Sequence, residues 1–137
     1  MGEVRIQAKL TNALDEMLAR RGQIQVAAVR SYIADAMVDM GAVRTVIPSF
    51  VAQQLGLSTP KQYVAEYADG RREAVPVTEP ISIEILGRQT YDEAFVLGSE
   101  VLIGQTVLEK TDLHVDCANT RLVPNPDHPD QPVSKVK

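Results

Sequence analysis

A chain of 137 residues with 45% hydrophobic content suits one compact domain and leaves little room for a second. Its net charge of −4, with no Lys/Arg cluster, argues against a nucleic-acid surface. No run approaches the ~20 apolar residues that cross a bilayer, and one cysteine (Cys117) with two histidines (His114 and His128) offers neither an intrachain disulfide nor a zinc site.

The opening segment Met1 to Ile6 lacks the charged-then-apolar pattern of a signal peptide, and Ile6 stands where a myristoylation signal has Ser or Thr. The expectation is a soluble cytoplasmic protein, with no membrane or nucleic-acid partner, no metal and no cofactor. Val4, Ile6, Ala8 and Leu10 alternate with polar residues, which predicts a half-buried strand. Asn12 can cap a short helix over residues 12–21, in which Leu14, Met17 and Leu18 fall at helical spacing. From Ile24 to Val38 the composition favours a hairpin or a broken strand ending at Asp39.

Val43 to Ile47 is a second apolar run, and Pro48 is placed to open a helix that Gly56 stops. Gln62 to Ala68 alternates, and Arg71 to Val77 runs back. Asp69-Gly70 between them predicts a type I′ hairpin turn with a projecting polar tip. Strands are expected at Ile81–Ile85 and over Thr90–Leu97. Val101-Leu102-Ile103 reads as a short strand covered on both faces, followed by a helix from Gln105 to Lys110. Leu113 to Cys117 alternates, with Cys117 read as a buried structural thiol, and Arg121 to Pro124 closes the pattern. Residues 125–137 carry three prolines among polar residues and are expected to be extended and poorly ordered unless a partner pins them. Many short strands between turn residues point to an all-β barrel or sandwich.

The stretch Val38-Asp39-Met40-Gly41-Ala42 carries the chemistry. It sets a carboxylate between apolar segments, where desolvation is costly unless the group is hydrogen-bonded or used. Asp39-x-Gly41 on its own is an ordinary turn signal. Its surroundings sharpen it. Thr45-Val46-Ile47-Pro48 and a short helix follow, then the Asp-Gly hairpin, then Leu102-Ile103-Gly104, a helix and Leu113-His114-Val115-Asp116. This order resembles the retropepsin-like (retroviral-type, clan AA) aspartic proteases, especially their small bacterial and cellular single-domain relatives. The resemblance covers residues from about 30 to 124, with the first strand.

The resemblance implies a closed β-barrel with an Asp loop, a flap hairpin and one or two short helices, over residues 1–124. It implies a homodimer in which the two Asp39 carboxylates meet across the axis, acting on a peptide or protein substrate. Two carboxylates about 3 Å apart share one proton, so one can activate water while the other protonates the substrate oxygen. Met40, Gly41 and Ala42 would form the active-site loop. Tyr67, Ala68, Asp69 and Gly70 would form the flap over substrate, and Leu102, Ile103 and Gly104 would support the loop from behind. The family has Thr or Ser in place of Met40, with a hydroxyl that bonds across the dimer axis. A thioether cannot donate that bond. The expectation is therefore impaired dimerisation or activity, and the alternative is a protease-fold dimer that serves as a binding or assembly module. An unrelated small barrel is the third reading. Asp35, Asp116 and His114 read as solvated or structural residues.

Overall fold

The computed structural model describes residues 2–136. The elements run β1 (Val4–Asn12), α1 (Ala13–Arg20), a 3-10 turn (Val26–Ala28), β2 (Ser31–Val38), β3 (Thr45–Ile47), α2 (Ser49–Gln54), β4 (Lys61–Glu66), β5 (Arg72–Val77), β6 (Ile81–Ile85), β7 (Arg88–Asp92), β8 (Ala94–Val96), β9 (Leu102–Ile103), α3 (Gln105–Thr111), β10 (Leu113–Asp116) and β11 (Arg121–Pro124). The fold is mostly β with three short helices. Nine strands pair in the order β4-β5-β8-β3-β9-β2-β1-β6-β7, and β10 and β11 form a separate hairpin.

β1 forms because its alternating residues bury one face: Val4, Ala8 and Leu10 are inside while Arg5, Gln7 and Lys9 face water. It pairs antiparallel with β2 from Val4 to Thr11 and with β6 at its far end. Ile81, Ile83 and Ile85 of β6, Ile47 of β3, Leu55 after α2, Ile103 of β9 and Val107 of α3 are fully buried and close the core. Burying such side chains contributes about 1.5–3 kcal/mol each.

The structure corrects several local expectations. In α1, Leu14 and Met17 lie in solvent, and the inward position is taken by Asp15. Its carboxylate receives Arg30 Nε at 2.8 Å and Nη2 at 3.0 Å, and this pair holds the carboxyl below its ordinary range. Pro48 caps α2 rather than opening it as the first helical residue. The expected strand 90–97 divides at Glu93: β7 pairs with β6, whereas β8 pairs with β3 and β5.

Asp69-Gly70 does not form a type I′ turn. Gly70 N–H donates to Tyr67 O at 2.9 Å and Tyr67 N–H to Arg71 O at 2.8 Å. With Gly70 at φ 85°, this is a three-residue loop with a glycine bulge. The Asp69 carboxylate prefers to accept from Arg71 N–H at 2.9 Å. A two-residue turn with both central φ positive instead joins β6 to β7 at Leu86 (φ 52°) and Gly87 (φ 77°).

Cys117 is exposed, not buried, because β10 ends at Asp116 and the chain turns there. The C-terminal segment is pinned by its own chain. Asn125 N–H donates to Asp112 O, Val133 N–H donates to Asp112 Oδ2, and Arg88 Nη2 donates to His128 O.

Candidate active site

Asp39 follows β2 directly and is held by segments far along the chain. β9 lies parallel beside the end of β2, with Val38 opposite Ile103. Asp39 N–H donates to Ile103 O at 2.9 Å, which extends that pairing by one residue. The start of α3 then supports the loop. Gln105 Nε2 donates to Met40 O, Gln105 N–H to Ala42 O at 2.9 Å, and Thr106 N–H to Val43 O at 3.2 Å. The first N–H groups of a helix have no partner within the helix, so the loop carbonyls satisfy them.

This approach is so close that only glycine fits at position 104. A Cβ there would lie 2.7 Å from Ala42 O and 2.9 Å from Arg44 O. Leu102, Ile103 and Gly104 lie beside the loop, whereas Gln105 carries no local sequence signal, because its role depends on a long-range contact.

The Asp39 side chain is half-buried. Its Oδ1 accepts from Gly41 N–H at 2.9 Å, and its other oxygen has no hydrogen-bond partner among the described residues. Asp39, Val38, Gly41 and Val115 share a concavity of about 330 Å³. Met40 borders it and also borders a larger groove of about 800 Å³, together with Leu108, Leu113, Val115 and Val133. Met40 is 49% exposed, so apolar surface is available there for contact with a second molecule.

The hairpin β4–β5 carries Tyr67, Ala68, Asp69 and Gly70 at its tip. Tyr67 donates its hydroxyl to Glu73 at 3.2 Å and lies under the Arg71 guanidinium, 4.4 Å from ring centroid to cation. Partial burial and the neighbouring Glu73 charge raise its phenol above the ordinary value. No hydrogen bond or ion pair joins this tip to the Asp39 loop among the described residues. The connection between hairpin and loop runs instead through Arg44, which lies against Tyr63 of β4 and Phe95 of β8. Arg44 carries no sequence signal for this contact.

A second carboxylate, Asp112, closes α3 in the left-handed conformation at φ 56°. It receives Asn125 Nδ2 at 2.9 Å and Val133 N–H at 3.0 Å, and pairs with His128 Nδ1 at 2.6 Å. The Asn125 bond, then the Val133 and His128 contacts, hold its carboxyl down to about 2 against the cost of partial burial. Asp116 is bonded to Asn119 and Arg121 within its own hairpin, Asp35 pairs with Arg5 on the surface, and His114 is exposed.

No protein-family model matches the chain, and no curated protein matches it in sequence. Among solved structures, the solution structure of a simian foamy virus (mac) protease is similar, with a TM-score of 0.48 at 13% identity. The match covers 76% of this chain and 90% of that chain.

Proposed function

We propose that this chain is an aspartic endopeptidase of the retropepsin type, working as a homodimer that brings two Asp39 side chains together. The observation that carries the proposal is the state of Asp39. It lines a concavity, on a loop held by β9 and α3, with one carboxylate oxygen unengaged among the described residues. A carboxylate that served only to close a turn would need no such bracing. In the dimer, the ionised member of the pair takes a proton from water, and the resulting hydroxide attacks the peptide carbonyl. The protonated member donates to the carbonyl oxygen as negative charge develops on it. The β4–β5 hairpin would cover the substrate and exclude water.

Met40 favours a second reading, a protease-fold dimer used for assembly. Its side chain cannot donate a hydrogen bond across an axis. Its half-exposed surface beside Leu108, Leu113 and Val115 offers apolar contact instead.

One experiment separates the two. Wild type, Asp39→Asn and Met40→Thr are incubated with a peptide library from about pH 4 to 7, with sedimentation velocity alongside. The peptidase reading expects Asp39→Asn to abolish cleavage and Met40→Thr to raise both dimer affinity and turnover. Cleavage surviving in Asp39→Asn overturns the role of Asp39. A stable wild-type dimer that cleaves nothing, even as Met40→Thr, selects the assembly reading.

A further inference from the structure

The loop that carries Asp39 continues into Arg44 immediately before β3. The Arg44 guanidinium lies against an aromatic pair, 5.3 Å from the centroid of Tyr63 and 6.0 Å from that of Phe95. The rings meet edge to face at 6.0 Å. Tyr63 belongs to the first strand of the hairpin, so the Arg44 side chain links the Asp39 loop to that strand. Side chains stacked this way lose rotamer freedom without losing their hydrogen-bonding edge.

That edge is unfilled. Among the described residues, no carboxylate forms an ion pair with Arg44. Other arginines are used internally: Arg5, Arg30, Arg72 and Arg121 are paired with carboxylates, and Arg88 is spent on backbone carbonyls. Arg44 is half-buried and retains five N–H donors in a planar fork, a geometry matched by a carboxylate. It opens on a concavity of about 500 Å³ that also contains Thr106, Lys110, Asp92 and Glu93. Of the two acids there, Glu93 is paired with Lys61 at 3.0 Å, while Asp92 accepts from the Thr45 hydroxyl at 2.8 Å and keeps its charge. Lys110 adds a second cation, anchored on Tyr91 O at 2.7 Å.

We propose that Arg44 is a specificity-determining residue that receives an aspartate or glutamate side chain of the peptide substrate. The inference rests on the peptidase reading and names the substrate class for that site. On a chain of net charge −4, an acidic peptide needs a local cation to be held near the Asp39 loop.

The test uses a random-sequence peptide library, with products read by mass spectrometry. Matched peptides then follow in which Asp and Glu are replaced by Asn and Gln. Wild type is expected to cleave the acidic peptides with KM at least ~10-fold lower than their amide counterparts, with kcat little changed. Arg44→Gln should erase that ratio, Arg44→Lys should keep part of it, and Arg44→Glu should favour Lys- and Arg-containing peptides. Arg121→Gln, which alters an exposed pair on the separate β10–β11 hairpin, should leave the ratio unchanged. Thermal melts establish that each variant is folded.

Binding of the same fluorescent peptides to Asp39→Asn protein, followed by anisotropy, separates this inference from the reading beneath it. Peptides that bind with acidic preference but are never cleaved leave the inference standing and overturn the peptidase reading. Cleavage without acidic preference, or equal loss on both peptide sets in Arg44→Gln, overturns the inference alone. Neither binding nor cleavage overturns both.

Discussion

Two aspartates of this chain end their elements in opposite ways. Asp112 closes α3 with its acceptors committed: Asn125, His128 and Val133 on the carboxylate, Asn125 N–H and Arg88 Nη1 on the carbonyl. Asp39 follows β2 with its backbone committed and its carboxylate nearly free, accepting one bond from Gly41 N–H. The first carboxylate holds a structure together. Around the second, the structure is arranged to hold the residue while leaving its acid group available. Reactivity here is a matter of which half of the residue the fold consumes.

That contrast can be broken most forcefully at Asp39 itself. Asp39→Asn preserves an acceptor for Gly41 N–H, so stability should shift by less than ~0.5 kcal/mol in urea melts. Turnover of a cleavable peptide should nevertheless fall by roughly 10²–10⁴-fold.

Gly104→Ala attacks the bracing instead. The added methyl meets two backbone carbonyls, which cannot swing aside, so the loop or α3 must move. We expect a loss of about 1–3 kcal/mol in stability and a parallel loss of turnover. A Gly104→Ala variant as stable and active as wild type would show that the loop tolerates displacement.

Asp112→Ala should give the reverse of Asp39→Asn. The thermal midpoint should drop by several degrees as the C-terminal segment comes free, with proteolysis beginning beyond Pro124. Amide shifts of the Asp39 loop, read by NMR, should change little, since no bond to that loop passes through the Asp112 carboxylate.

The smallest expected effect is a pH dependence. The Asp112 carboxyl titrates at about 2 in the folded chain against an ordinary 3.8. A depressed carboxyl stabilises the fold above the ordinary value, and that contribution is lost as the pH falls through about 2. Wild type should therefore lose thermal stability more steeply than Asp112→Asn between about pH 4 and 2. Parallel curves for the two proteins would show that the network around Asp112 contributes nothing to acid stability.

Local pattern made much of the fold legible. The alternation in Val4 to Leu10, the three isoleucines of β6 and the Asp39-x-Gly41 loop are all visible in neighbouring residues. What escaped was set by distant partners. Leu14 and Met17 face water because Arg30 draws Asp15 inward. Leu86 takes a positive φ that its side chain disfavours, so no turn rule would choose it over Asp69-Gly70. The C-terminal segment reads as loose because the carboxylate that holds it lies on α3. At the candidate site, the family resemblance pointed to Asp39 and Gly104. Gln105 and Arg44 were silent, since one bonds across the fold and the other is defined by aromatic rings contributed by β4 and β8.

The two residues of β9 enter the sheet between β2 and β3, segments that are close together in the chain. The loop joining those two strands must straddle a piece of chain made much later. Its final shape therefore waits for a non-local event, the slow kind of step in folding. A ribosome that has produced the first hundred residues has produced Asp39 but not the backbone that seats it. On this ordering, the acid group becomes properly placed only when the chain is nearly complete, and a translation product stopped before Leu102 carries Asp39 without its seat.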